Sequence, residues 1–206
     1  MAEGLRERKK LQTRQAIFDA ARRLFRQRGF EQVSVAEIAR AADVSEMTVF
    51  NHFRNKEELF YGGMQFFEEE LVATVRDRPS GEPALEAFRR RLLSGLDRLA
   101  KPETFEEIRV STRIVGHSAA LAAREREMVE RFTSDLAEEL SNQKGDAVAL
   151  SAAAAMMGAH RALVAHVRGR VLAGVRGKRL ADSYRSEARR VFARLGRGLG
   201  DYAVRR

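Results

Sequence analysis

Residues 34–59, SVAEIARAADVSEMTVFNHFRNKEEL, decide how the rest of the chain is read. Ser34 followed by Glu37 is an S-x-x-E capping box, so a helix begins at Val35. Ile38 and Ala39 supply its inner face, and it ends near Ala42. Asp43 takes a left-handed turn conformation more readily than most residues with a Cβ. Ser45 then caps a second helix, 46–53, whose Val49 and Phe53 point inward at i, i+4. Glu46, Met47, Thr48, Asn51 and His52 are left facing out. Asn55 and Glu58 repeat the capping pattern and open the next helix. Two short helices joined by a tight turn, the second with a polar, amide-bearing face, are the layout of a helix-turn-helix that places its second helix in a DNA major groove.

The same residues, with those just before them, carry a family resemblance. Ala20–Ala–Arg–Arg–Leu–Phe25 is followed by Gly29–Phe30, then by the segments 34–39, 43–45, 48–53 and 55–59 quoted above. From about Thr13 to Leu59 this ordered run resembles the DNA-binding domain of the tetracycline-repressor (TetR) family of bacterial transcriptional regulators. The match covers roughly a quarter of the chain. The remainder fits the family in length and helical character only. Two positions depart from the family pattern. Asp43 stands where Gly is usual, and Phe50 stands where a Tyr is common whose hydroxyl often reaches DNA.

The resemblance implies an all-α protein of about nine helices. A helix-turn-helix domain over 1–60 would precede a helical effector-binding and dimerisation domain over 61–206. It also implies that Thr48, His52 and Lys56 touch phosphates, as their counterparts do. A small-molecule effector would bind among the helices between residues 85 and 175, and the last two long helices would form a homodimer interface.

Composition agrees with a folded helical chain. At 206 residues with 44% apolar residues and three prolines, it has ample length for a buried core. The absence of cysteine excludes disulfides, thiolate zinc sites and cysteine nucleophiles. The first ten residues hold no apolar stretch of the kind a secretory signal needs. The longest mostly apolar run, 147–159, is shorter than the roughly 20 residues that cross a bilayer. The expectation is a soluble, cytoplasmic protein with no membrane partner.

The net charge of +9 is unevenly spread: residues 61–159 carry 13 basic and 17 acidic side chains, whereas residues 160–206 carry 13 and 3. A basic N-terminal arm (Arg6, Arg8, Lys9, Lys10, Arg14) beside the motif suits phosphate attraction, the sequence-independent part of DNA affinity. The basic last stretch reads either as a solvated helix face or as a second site for acidic ligands or nucleic acid.

Helical spacing continues along the chain. Ile17, Ala20, Ala21, Leu24 and Phe25 stripe a first helix that Gly29 stops. A helix over 56–77 carries Phe60, Met64, Phe67, Leu71 and Val75, interrupted by Gly62 and Gly63. These glycines allow close packing on the first helix or make a compliant joint. Pro79, Pro83 and Pro102 bracket Leu85, Phe88, Leu92, Leu96 and Leu99, again at helical spacing. Further helices are expected over 103–117, 119–142, 146–171 and 180–199. The helix over 146–171 presents Ala152 to Ala155, Gly158, Ala159 and Ala162, with Leu163, Val164 and Val167. It suits either a close helix-to-helix dimer contact or the core of a bundle within one chain.

Side-chain chemistry assigns provisional roles. Glu46 can accept from a cytosine amino group, Asn51 can pair bidentately with adenine, and Met47 can meet a thymine methyl. Glu46 is equally a first-turn anion that steadies the helix dipole. Phe50 either reaches DNA by apolar contact or packs on the first helix. Ser34 and the helix N-terminus it caps offer a further phosphate site, beside Thr48, His52, Lys56 and Arg14. For an effector, Met156, Met157, His160 and His117 combine adaptable apolar lining with a polar handle.

The partner expected for this surface is double-stranded DNA with a pseudo-palindromic operator. An effector-free architectural DNA-binding protein is the competing class. Enzyme signatures are lacking: there is no H-E-x-x-H, no G-x-S-x-G and no phosphate-cradling glycine loop. The acidic residues 68–70 and 106–107 have no nearby histidine at di-metal spacing. No metal or cofactor is expected.

Overall fold

The computed structural model describes residues 2–141 and 145–199, and among them all regular structure is helical. In order these elements are α1 (Ala2–Arg28), α2 (Val35–Ala41), α3 (Glu46–His52), α4 (Lys56–Arg76), α5 (Ala84–Leu93), a 3-10 helix (Leu96–Ala100), α6 (Pro102–Gly116), α7 (Ala119–Leu140), α8 (Ala147–Leu172) and α9 (Lys178–Leu199). The all-α architecture with an N-terminal helix-turn-helix is therefore as expected. The expected helix end at Asn142, the side chain of Arg6 and residues 200–206 lie outside the described part.

Two elements differ from the sequence reading. The leucine spacing over 85–99 suggested one helix, but α5 stops at Leu93 because Gly95 adopts φ 75°, a left-handed conformation that an α-helix cannot continue through. In the opposite direction, α4 runs unbroken through Gly62 and Gly63. A Cβ on Gly62 would sit 3.1 Å from Phe18 Cε2, so the glycine permits close approach to α1.

Two compact units divide the chain. The first comprises Met1–Phe66 with Arg113–Arg124, so residues 113–124, assigned by sequence to the C-terminal domain, cluster with the motif. Here α1 packs on α2 and α3, with Ile17, Ala20, Ala21, Phe25, Ile38, Ala39, Val49 and Phe53 buried at the positions the periodicity marks. Tyr61 donates its hydroxyl to the Leu121 carbonyl at 3.0 Å, and Ser118 donates to Glu31 at 2.6 Å. These bonds satisfy polar groups that would otherwise cost about 1–3 kcal/mol each to bury.

The second unit comprises Phe67–Thr112 with Glu125–Arg206. Within it α8 and α9 pack along each other and α5 packs against both, while the 3-10 helix lies on α9. α8 is 26 residues long, with a window of mean hydropathy 1.4, and by length and composition it could span a bilayer. It is thus longer than the apolar run 147–159 suggested. One side of it serves as core: Ala149, Ala153, Met156, Met157, Leu163 and Val171 are all buried inside this unit. Asp146 caps its first turn, accepting from the amides of Val148 and Ala149.

Candidate DNA-binding surface and a buried polar pair

The turn between α2 and α3 closes as the sequence demands. Asp43 takes φ 55°, and the following amide, of Val44, reaches back to the Ala39 carbonyl at 3.0 Å. Ser45 Oγ then accepts from the Thr48 amide at 3.1 Å and bonds the Thr48 hydroxyl at 2.8 Å, fixing the start of α3. With Val49 and Phe53 buried, Glu46, Met47, Phe50 and Asn51 form one exposed face. Met47 is 69% and Phe50 49% exposed, so apolar surface stands in water on the helix with the fewest reasons to carry it. Phe50 is thus about half exposed on this face.

The phosphate candidates divide. Thr48, His52, Lys56 and Arg14 are all partly exposed around the same helix. His52 has its pKa lowered, mainly by desolvation and then by the charges of Arg14 and Lys10, so at neutral pH it is an uncharged donor or acceptor. Lys56 donates to the Phe30 carbonyl at 3.1 Å and lies 4.2 Å over the Phe30 ring, which holds its ammonium in place. Arg14 donates to the His52 carbonyl and stacks on Phe53, a structural duty the sequence did not show.

Ser34 is different. Its amide and hydroxyl both donate to Glu37 Oε2 at 2.9 Å, and Arg28 pairs with Glu37 Oε1 at 2.6 Å. These contacts hold the Glu37 carboxyl at about 2, so an anion already occupies the N-terminus of α2.

This arrangement has known counterparts. Residues 17–61 match the family model for bacterial regulatory proteins of the tetR family. The HTH-type transcriptional regulator TcmR of Streptomyces glaucescens is 33% identical over 137 residues, which is 66% of this chain and 56% of TcmR. The chain thus spans little more than half the length of this relative. Residues 17–61 carry the DNA-binding region of the tetR family. Among solved structures, Salmonella enterica GusR is similar with a TM-score of 0.58 at 19% identity, covering 92% of this chain and 96% of that one. A SmeT–triclosan complex is similar at 0.56 and 18%, covering 90% of each. These two likenesses speak for the fold.

The four effector candidates are divided between the two units. His117 belongs to the first unit and is exposed, its Nδ1 2.7 Å from the Arg113 carbonyl. Met156, Met157 and His160 lie on one side of α8 in the second unit and are buried. Facing His160 is Glu68, one of the acidic residues 68–70 that local spacing left without a histidine. Glu68 of α4 is only 2% exposed, and its Oε1 lies 3.9 Å from His160 Nε2, beyond hydrogen-bond reach. Among the described residues, Glu68 Oε2 and His160 Nδ1 have no hydrogen-bond partner. Burial pushes the carboxyl up to about 7, against the pull of Arg131, and the imidazole down to about 4. The signal for Glu68 was in the sequence: it is in helical phase with Leu71 and Val75, hence on the inner face. The histidine that meets it stands 92 residues later, where local spacing could not show it.

The outer faces of the last two helices are also unlike each other. Of the small residues noted on α8, Ala152, Ala153 and Ala159 are buried within the chain, as are Leu163 and Val167. Ala154, Gly158 and Ala162 remain outside, with exposed Leu150 and Leu172 towards the two ends. The apolar side of α9 (Leu180, Ala181, Tyr184, Ala188, Phe192) is buried, and its exposed side bears Lys178, Arg179, Arg189, Arg190, Arg194 and Arg197.

Proposed function

We propose that this chain is a sequence-specific DNA-binding transcriptional regulator, a homodimeric, cytoplasmic repressor released from a pseudo-palindromic operator by a small-molecule effector. The observation that carries the reading is the exposed face Glu46–Met47–Phe50–Asn51 on a helix whose other side is buried and whose two ends are fixed by Ser45 and Arg14. Such a face has the hydrogen-bonding and apolar groups that read base edges, while Thr48, His52, Lys56 and Arg14 ring it with phosphate donors. Ser34 joins them only where Glu37 swings away. Similarity to regulators over most of the second unit, including a structure that holds triclosan, supports an effector among its helices.

Dimerisation is assigned to the outer face of α8, where Ala154, Gly158 and Ala162 let a second helix approach and Leu150 and Leu172 add apolar area. α9 would contribute at the rim, since its apolar side already packs inside the chain. The test is selection of bound duplexes from a random library, with the mass of the complex measured in parallel. A two-fold symmetric motif bound by an even number of subunits is the expected result.

One observation favours the second reading, an effector-free architectural DNA-binding protein. The cationic outer side of α9 could lie along a second duplex. A motif-free pool with steeply salt-dependent binding would establish that reading and overturn the first.

A further inference from the structure

Building on the effector-responsive reading, we propose that Glu68 and His160 form the polar end of a binding site for a lipophilic cation, an apolar or aromatic body carrying a protonated amine, reached from the surface groove at Glu70 and Arg91.

Glu68 is buried, and among the described residues no counterion is in contact with it. The imidazole opposite is uncharged at neutral pH, because burial holds it down to about 4, and so cannot serve as one. Two further cations influence the pair from neighbouring positions, but each is engaged elsewhere. Arg168 of α8 grips Glu125 of α7 with bonds of 2.8 and 3.1 Å. Arg131 of α7 lies 4.5 Å over the Phe132 ring. With Nε2–H turned towards Glu68, the free His160 Nδ1 presents a lone pair, as does Glu68 Oε2. Two buried acceptors and an unbalanced carboxylate call for a donor with positive charge. A carboxylate ligand would instead add a third acidic group beside Glu68 and Glu125.

A groove of about 370 Å³ lies between α4 and α5, lined by Glu70, Ala73, Thr74, Asp77, Arg90 and Arg91. Arg91 pairs with Glu70 and holds its guanidinium 4.3 Å over the Phe67 ring. The same ring stacks on His160 at 5.7 Å between centroids. A row therefore runs from the open groove through a cation-bearing aromatic ring to the buried pair. A ligand ammonium that replaced Arg91 over Phe67 would make a cation–π contact of the kind the protein already makes there, one ring away from Glu68. Met156 and Met157, a turn before His160 on α8, are unbranched side chains that re-pack around an incoming apolar body.

The experiment uses three probes that share one body and differ in the head group: phenylbutylamine, phenylbutanol and phenylbutyrate. Each is titrated calorimetrically into the full chain at neutral pH in two buffers of different ionisation enthalpy. The amine should bind at least about tenfold more tightly than the other two, and should release protons as the ammonium holds Glu68 ionised. Glu68→Gln should erase both the preference and the proton release. Proton release by the unaltered protein tests the site even where the variant folds poorly. Equal binding of the alcohol or acid, a preference that survives in Glu68→Gln, or failure of the amine to bind would overturn the assignment.

Release of the selected operator separates this proposal from the reading it rests on. An uncharged or acidic compound that releases DNA would sink the cation site and leave the effector reading intact. Amine binding that depends on Glu68 yet never releases DNA would uphold the site and sink the effector reading.

Discussion

Arg14 and His52, 38 residues apart, are joined where α1 meets the end of α3: the Arg14 guanidinium donates to the His52 carbonyl at 2.5 Å and lies 4.2 Å above the Phe53 ring. A cation at the C-terminal end of α3 both satisfies a carbonyl left without a helical partner and opposes the negative end of the helix dipole. Arg14 thus sets the angle at which the exposed face of α3 is presented. Arg14→Ala should lower unfolding stability by about 1–2 kcal/mol, whereas Arg14→Lys keeps the charge but loses the planar stack. Thermal melts of the two variants check this. If Arg14→Ala weakened DNA binding with an unchanged melt, Arg14 would be a phosphate contact alone.

Base reading by α3 predicts a split between specific and nonspecific affinity. Asn51→Ala should cost about 1–3 kcal/mol on the selected operator, relax the preference at one base pair and leave random duplex binding nearly intact. Lys56→Ala should weaken both alike and reduce the salt dependence by about one phosphate. Binding isotherms at several salt concentrations distinguish these outcomes. Equal loss on both DNAs for Asn51→Ala would remove it from the reading face.

Glu68 makes stability fall as pH rises. Its carboxyl, raised from 4.5 to about 7 in the folded chain, is protonated there while the unfolded chain has already ionised. Stability is therefore greatest below the unfolded value and is lost progressively up to about pH 7, by roughly 2–3 kcal/mol. His160 acts oppositely, since it must charge as pH falls from 6.5 towards about 4. Glu68→Gln should remove the loss at higher pH and be more stable than the parent above neutrality. Urea melts across that range measure it, and a parent chain that grows more stable relative to the variant with rising pH would contradict the assignment.

The left-handed turn residue is a simple stability test. Asp43 at φ 55° carries a Cβ in a conformation that glycine adopts without penalty. Asp43→Gly should raise stability by about 0.5–1 kcal/mol in a urea melt without altering the DNA motif selected.

The dimer assignment predicts a clean dissociation. Among the described residues nothing beyond the helix's own backbone lies within 4 Å of a Cβ on Gly158, so a side chain there is accommodated by the single chain. Gly158→Arg should fold, with helix propensity improved by up to about 1 kcal/mol, yet sediment as a monomer. A dimer that persists would move the interface off this face of α8.

Local signals determined the helix-turn-helix: a capping box at Ser34 and Glu37, a turn residue at Asp43, a cap at Ser45 and inward Val49 and Phe53 are all set within a few residues of one another. For the same reason the exposed face of α3 was legible, because burying one side of a seven-residue helix fixes the other. Tertiary structure alone decided that Arg14 clamps α3, that Glu37 occupies the N-terminus beside Ser34, that His117 and His160 fall in different units, and that Glu68 meets His160. Each of these depends on which helix packs against which, and residues 92 apart leave no periodic trace of their meeting. Helical phase marks a residue as inward; only packing shows what it faces, and here that is an uncharged imidazole in place of a counterion.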